Sequence, residues 1–485
     1  MKKAVAALLV LCASIAFALP AASQSLADHP RVKSALALLE FWADAQRAYE
    51  QIPGMSMAVV HDQTLLWSRG FGHSDLEKKT PATPTTIYSI CSISKLFTSV
   101  AVLSLRDQGK LRLDDPLEKL LPWFSIKKTF PGFGPATVRG ILTHSSGLPR
   151  ESDFPYWTGP DFAFPTHDEI IARLKSQETL YPADLHYQYS NLGLTLAGEI
   201  VAQLSGRPYA EYVNETVLRP LKLADTQPRM PEEHRGGRLA TGYSAMTRVG
   251  KRNVLPFFQA NGIAPAAGFS STVEDLGRFA SWQFRLLAKG GTEILDSNTL
   301  REMHRVQWLE PNWRTAYGLG FSVWQKGEKT FVGHEGSCPG YRSSLQLQTT
   351  DKIAAVFAAN ASGVDAGKFT AVAYAIVAPA IAEAKDPKKP AKNLDKSLQP
   401  YIGIYDNQPW GGETAVVYHE DGIAAVDFPT DDPLGDLQKL KRVKGNTFRR
   451  VRKDGELGEE VVFEVGPDGK VTRLKWNSNY QVKVR

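Results

Sequence analysis

Hydrophobic and polar positions along the chain switch between two periods, and the switches place its elements. From Val32 to Gln51, apolar Ala37, Leu38, Leu39, Phe41 and Trp42 recur among charges at helical spacing. Ile52 to Val60 and Thr64 to Gly70 read as two strands of a hairpin turning at His61-Asp62-Gln63. A polar, proline-bearing loop over 75–86 leads to the stretch Cys91 to Thr98, which opens a helix apolar nearly all round through Leu105, the pattern of a buried helix. Gly109 is placed to close it in the left-handed conformation. Leu111 to Phe124 gives a turn and a short helix, and Val138 to Leu142 leads into the turn that carries His144. Residues 150–185 read as a long loop region with one helix near Asp168 to Gln177, a length typical of functional lids. A second apolar helix runs from Leu192 to Leu204, closed by Gly206.

Residues 225–265 show little periodicity, and a further helix starts at Thr272 as N-cap with Asp275 three residues on. Thr330 to His334, Tyr341 to Gln348 and Ile353 to Ala359 then read as an antiparallel meander. Its turns are expected at Gly336-Ser337-Cys338-Pro339-Gly340 and at Thr350-Asp351, and Phe369 to Ala384 as a final helix. These runs predict an α/β (α+β) domain, an antiparallel sheet flanked by helices, over 24–382. The charged, proline-bearing segment 383–396 reads as a linker. Beyond it, 397–485 predicts roughly six to eight short strands in a small barrel or sandwich.

Composition changes this picture at the N-terminus. Lys2 and Lys3 precede the apolar run Ala4 to Leu19 and the small residues Ala21-Ala22-Ser23, so 1–23 reads as a signal peptide with the mature chain starting near Gln24. A secreted or periplasmic protein with no stable membrane span after signal removal is expected. Cys12 raises lipoprotein processing as an alternative, against which stands the bulky Leu11 before it. Net charge is +6 from 57 basic and 51 acidic residues, too mild to argue for nucleic acid. The basic run Arg442, Lys444, Arg449, Arg450, Arg452, Lys453 reads as a solvated strand face.

The candidate chemistry starts at Ser92 and Lys95, three residues apart and so on one helix face. A serine becomes a nucleophile when a neighbouring base takes its proton, and Lys95 qualifies if burial or a nearby cation depresses its pKa. Tyr189 is a second candidate for that proton, and Asn191, two residues on, is placed to bind a substrate carbonyl and hold Lys95. His334-Glu335-Gly336 opens a strand edge, where the glycine admits a substrate and the Ser337 N–H can pair with the Ser92 N–H as an oxyanion hole. Each motif alone has an ordinary reading: a helix cap, a surface charge, a core aromatic, a strand histidine. His144 reads as a hydrogen-bonded loop histidine, Arg342 as a substrate-carboxylate contact or an ordinary paired arginine, and Trp410-Gly411-Gly412 as a turn of the β-rich domain.

Taken in order, Ser92-Ile93-Ser94-Lys95, Tyr189-Ser190-Asn191 and His334-Glu335-Gly336 resemble the motifs of the serine β-lactamase and penicillin-binding-protein superfamily. The flanks resemble it too: the stretch 105–124, Leu142 to Pro149, and Ala266 to Ala280. The resemblance covers about 33–382, and its second motif is similar to class C β-lactamases, family VIII esterases and D-alanyl-D-alanine or D-amino peptidases. It implies Ser92 as the acylated nucleophile, Lys95 and Tyr189 as the acid/base pair, and Asn191, His334, Gly336 and Ser337 as substrate-binding positions. It implies no metal or organic cofactor. His334 stands where lysine favours β-lactam carboxylates, which points toward esters or D-amino-acid peptides, with small-molecule or cell-wall-derived peptide substrates. A true β-lactamase and a non-catalytic penicillin-binding sensor are the alternatives. Some serine carbapenemases join the corresponding two motif positions by a disulfide, and that likeness implies a Cys91–Cys338 bond. No G-x-S-x-G elbow, H-E-x-x-H, P-loop or dinucleotide fingerprint is present.

Overall fold

A computed structural model describes residues 25–386, 388 and 394–485. The expected leader, its cleavage site and Cys12 lie outside the described residues, as do 387 and 389–393 of the expected linker. The long helices are α1 (Pro30–Tyr49), α2 (Ser94–Asp107), α4 (Asn191–Ser205), α5 (Val273–Lys289) and α6 (Ala366–Lys385); the short α3 (Val138–Thr143) lies between α2 and α4. The central sheet has nine strands: β1 (Gly54–His61), β2 (Thr64–Asp75), β3 (Thr80–Pro81), β4 (Trp308–Leu309), β5 (Ala316–Tyr317), β6 (Ser322–Lys326), β7 (Lys329–Cys338), β8 (Tyr341–Gln348) and β9 (Ile353–Ala359). Their spatial order is β3-β2-β1-β9-β8-β7-β6-β5-β4. The N-terminal hairpin thus joins the C-terminal meander through the antiparallel pairing of β1 with β9.

Both faces of this sheet are covered, and strand alternation divides the core accordingly. Met55, Met57 and Val59 of β1 face a core shared with α1 and α6, whereas Ala58 and Val60 face one shared with α2, α4 and α5. Two-sided burial explains why β1 and β9 read as nearly continuous apolar runs. Helix α2 lies in the middle of its layer, with every residue from Ser94 to Leu105 buried. The expected caps are present: Gly109 sits at φ +74°, Gly206 at φ +69°, and the Thr272 side chain accepts from the Asp275 N–H.

Two readings of the sequence are corrected by the sheet. The stretch Gly336-Ser337-Cys338, taken for a turn because of its composition, stays extended to the end of β7 and pairs with Ser343, Arg342 and Tyr341 of β8. Only Pro339 and Gly340 make the turn, Gly340 at φ +82°. Similarly β2 runs on to Asp75, and Thr80–Pro81 folds back against it. Beyond the expected linker, whose first three residues continue α6, eight strands close into a barrel: β10 (Gly403–Asp406), β11 (Glu413–His419), β12 (Gly422–Phe428), β13 (Gln438–Lys444), β14 (Thr447–Val451), β15 (Leu457–Val465), β16 (Val471–Trp476) and β17 (Asn479–Lys483). The barrel packs on the α1/α6 face, where Ile404, Ala415, Val417, Val426 and Phe428 enter the same core as Trp42 and Phe369. Trp410, three-quarters exposed, lies in the β10–β11 turn, and Gly412 beside it packs on Tyr49 of α1.

Cys91, just before α2, is disulfide-bonded to Cys338 at the end of β7 with their Cα atoms 5.7 Å apart. The bond ties the start of the central helix to the strand edge across 247 residues of chain. Thiol titration of denatured, unreduced protein is expected to find neither cysteine free. The Cys91→Ala/Cys338→Ala double variant is expected to lose about 2–4 kcal/mol in denaturant unfolding. Trp42 is fully buried, its indole Nε1 donating to the Thr430 carbonyl at 2.7 Å. Trp42→Ala is expected to cost about 3–5 kcal/mol in the same measurement.

Candidate active site

The nucleophile candidate is positioned by a strained approach to α2. A 3-10 turn, Cys91–Ile93, precedes the helix, and Cys91 takes φ +51°. A non-glycine residue in this left-handed region costs about 1–2 kcal/mol, which here is offset by complete burial and the disulfide. Gly336 is required on the opposite side, because a Cβ there would lie 2.2 Å from the Ile90 carbonyl oxygen. The close approach of β7 to the turn therefore brings Ser92 and Ser337 to one cleft.

Lys95, the second residue of α2, is fully buried, yet its Nζ has three oxygen neighbours. They are Ser92 Oγ at 3.0 Å, Asn191 Oδ1 at 2.8 Å and the Ala266 carbonyl at 2.8 Å. Burial pushes the amine well below the ordinary lysine range, with the Glu151 carboxylate acting against that shift and Arg150 adding to it. Tyr189 lies beside this group, with Lys95 Nζ and the Arg150 guanidinium each 4.9 Å from its ring centroid. Burial raises its phenol above the usual tyrosine range, and Tyr317 adds to this; the Ser92 hydroxyl and Arg150 pull the other way. His334, on β7, is buried and neutral, its pKa pushed down to about 3 by burial and by Lys95. Its Nδ1 donates to the Glu335 carbonyl at 2.6 Å, and its Nε2 is buried without a partner among the described residues.

The structure thus gathers Ser92, Tyr189, Asn191, His334, Gly336 and Ser337 on the walls of one cleft of about 800 Å³, with Lys95 behind Ser92 and Cys338 at the rim. His144 is a hydrogen-bonded loop histidine, as expected, and it bonds to the second motif itself. Its Nδ1 accepts from the Ser190 N–H at 3.1 Å, and its ring lies 4.3 Å from that of Tyr189. Pro149 and Arg150 continue this strap: the Pro149 carbonyl accepts from Ser190 Oγ, and the Arg150 carbonyl accepts from the Asn191 N–H at the start of α4.

Sequence reasoning missed several members. Glu151 accepts from Asn191 Nδ2 at 2.7 Å, and Trp157, Phe162 and Leu255 line the cleft as an apolar wall. These residues come from the loop regions 150–185 and 225–265, which lack periodicity. The one available signal was position: Arg150 and Glu151 directly follow the flank that ends at Pro149. Arg342 also lines the cleft, its Nε buried without a partner among the described residues.

Comparison with known proteins bears on the family and the fold. A family model described as Beta-lactamase matches residues 42–378, and one described as a domain of unknown function matches 386–485. Beta-lactamase-like protein 2 of Dictyostelium discoideum is 26% identical, over 77% of this chain and 71% of its own length. Protein flp of Staphylococcus aureus (strain COL) is 26% identical, over 65% of this chain and 61% of its own length. Among solved structures, the octameric penicillin-binding protein homologue from Pyrococcus abyssi is similar at TM-score 0.63 and 24% identity, covering 92% of this chain and 100% of that one. The β-lactamase/D-alanine carboxypeptidase from Yersinia pestis complexed with citrate is similar at TM-score 0.59 and 22% identity, covering 72% and 98%. At these identities the two structures bear on the fold alone. With the family model spanning well over half of its length, the chain belongs to the Beta-lactamase family, a family of serine hydrolases.

Proposed function

We propose that this chain is an exported hydrolase that acts through an acyl-enzyme on Ser92, with esters or D-amino-acid-containing peptides and amides as its substrates. The observation that carries the reading is the dry environment of Lys95. A neutral amine has two N–H groups and one lone pair. The Asn191 and Ala266 oxygens, which can only accept, take the two N–H groups. The lone pair is then left for the Ser92 hydroxyl, 3.0 Å away. Burial keeps the amine neutral, so Lys95 is the base for attack.

The steps follow from these protonation states. Ser92 Oγ bonds to the substrate carbonyl carbon while its proton passes to Lys95 Nζ. The carbonyl electron pair moves to oxygen, held by the Ser92 and Ser337 N–H groups. The electron pair returns, the bond to the leaving oxygen or nitrogen breaks, and Tyr189, kept protonated by burial, supplies its proton. Lys95 returns a proton to Tyr189. Water then bonds to the acyl carbon while its proton passes to Lys95 Nζ, the bond from that carbon to Ser92 Oγ breaks, and Lys95 returns the proton to Ser92 Oγ.

Two features support esters and peptides over β-lactams. His334 stays neutral, so it offers no fixed cation to a β-lactam carboxylate where a lysine would, and the cations that line the cleft are Arg150 and Arg342. The aromatic wall of Trp157 and Phe162 suits an apolar acyl group.

A fluorophosphonate is expected to label Ser92 by intact-protein mass spectrometry, and Ser92→Ala to lose both the label and about 10⁴–10⁶-fold of kcat. A p-nitrophenyl ester and a D-Ala-D-Ala peptide are expected to be turned over faster than nitrocefin; the reverse order reassigns the protein as a β-lactamase. The acylation rate should fall as pH drops through the lowered Lys95 pKa, since the base is lost on protonation. That acid limb should lie below the ordinary lysine value of 10.5. Neither His334 nor Tyr189 should add a limb near neutrality, as burial holds both in their neutral forms.

A further inference from the structure

The Asn191 side chain has two ends that look alike in shape and differ in hydrogen bonding. Its Oδ1 accepts from Lys95 Nζ at 2.8 Å, and its Nδ2 donates to Glu151 Oε1 at 2.7 Å. Rotating the amide by half a turn would set Nδ2 against the N–H groups of Lys95 and Oδ1 against the carboxylate. Lys95 alone does not fix the sense of the amide through a catalytic cycle. As a neutral amine it also carries a lone pair, and that lone pair can turn toward an amide N–H. An ionised carboxylate has no such freedom, because it only accepts.

Glu151 is itself held from several sides. Its Oε2 accepts from the buried Tyr156 hydroxyl. Arg150 Nε lies 3.2 Å from its Oε1, and its backbone carbonyl accepts from Gln177 Nε2 at 3.0 Å. The preceding Arg150 carbonyl accepts from the Asn191 and Leu192 N–H groups at 2.8 and 3.2 Å, which docks this segment on the first turn of α4. The carboxylate is therefore fixed relative to the amide that it faces.

We propose that Glu151 is a positioning residue of the acylation machinery, one that locks the Asn191 amide in the sense that presents Oδ1 to Lys95 and so aims the amine at Ser92. This rests on the reading of Ser92 as nucleophile and Lys95 as base. The order carboxylate, amide, amine, hydroxyl places an orienting group behind a base that is not histidine.

Glu151 has a second, separable effect. Its charge favours the ammonium form of Lys95, opposing burial and Arg150. The other titratable groups near Lys95 are Tyr189, His144 and His334, all neutral: burial raises the first and lowers the two histidines. Replacing the carboxylate by an isosteric amide keeps an acceptor for Asn191 Nδ2 and removes the charge.

The test is a double-mutant cycle on the acylation burst with p-nitrophenyl butyrate, with active protein counted by fluorophosphonate labelling. Glu151→Ala is expected to slow acylation roughly 10–100-fold, as for a partner that orients a metal-ligating side chain, with the loss in the maximal burst rate rather than in the ester concentration that half-saturates it. Asn191→Ala is expected to slow it at least as much. The double variant should be no slower than Asn191→Ala, since without the amide nothing remains to orient. Glu151→Gln, whose amide can turn either end toward Asn191, should recover only part of the rate and move the acid limb of the pH profile to lower pH. The shift reports the lost charge, while the lock is read from the rates in the cycle. Additive losses in the cycle, or an unchanged burst in Glu151→Ala, overturn the lock. Absence of any Ser92 label on the wild-type chain overturns the underlying nucleophile instead. Should Glu151→Ala fail to fold, the same cycle is run with Glu151→Gln: no rate loss, or a loss that adds to that of Asn191→Ala, overturns the lock.

Discussion

A primary amine shut away from water among three oxygen atoms sets the terms for the rest of this structure. Ammonium hydration is strong, so burying Lys95 is tolerable only as the neutral amine or with full pairing. The fold supplies both conditions at once. An apolar helix keeps water out, and the oxygens of Ser92, Asn191 and Ala266 arrive from three separate segments. None of these contacts is local beyond the first. The setting of this amine is therefore a tertiary property, reached only when α2, the start of α4 and the backbone before Gly268 are in place.

Two devices hold those segments together. The strap from His144 to Glu151 wraps the Tyr189-Ser190-Asn191 corner by hydrogen bonds to the Ser190 and Asn191 N–H groups and to the Asn191 amide. The disulfide fastens the turn before α2 to the end of β7, which lines the cleft. Gly336 makes the same closeness possible from the strand side. The barrel contributes to none of this directly. It shares a core with α1 and α6, on the sheet face opposite α2, so its link to the cleft runs through the stability of the sheet.

Much of the scaffold was legible because its signals are local. The unbroken apolar character of α2, the left-handed glycines at 109 and 206 and the cap at Thr272 each need only their own neighbours. The strand at 336–338 was misread because glycine, serine and proline mark turns by local preference, while its extended form is imposed by pairing with β8 and by the bond at Cys338. The disulfide partners were suggested by likeness to relatives, since no local rule pairs two cysteines so far apart.

The sequence by itself determined which chemistry-bearing side chains exist and roughly where they sit: a serine and a lysine three residues apart at the head of a buried helix, a tyrosine and an asparagine at the head of another, and a histidine and a glycine on a strand. Periodicity and residue type encode these, and both act over a few residues. Only the tertiary structure decided which atoms meet. It brought the Asn191 amide between Lys95 and Glu151, turned His144 onto the second motif, and left the phenol of Tyr189 and the ring of His334 neutral. Protonation state depends on exclusion of water and on charges from distant segments, and neither quantity is defined until the chain has packed.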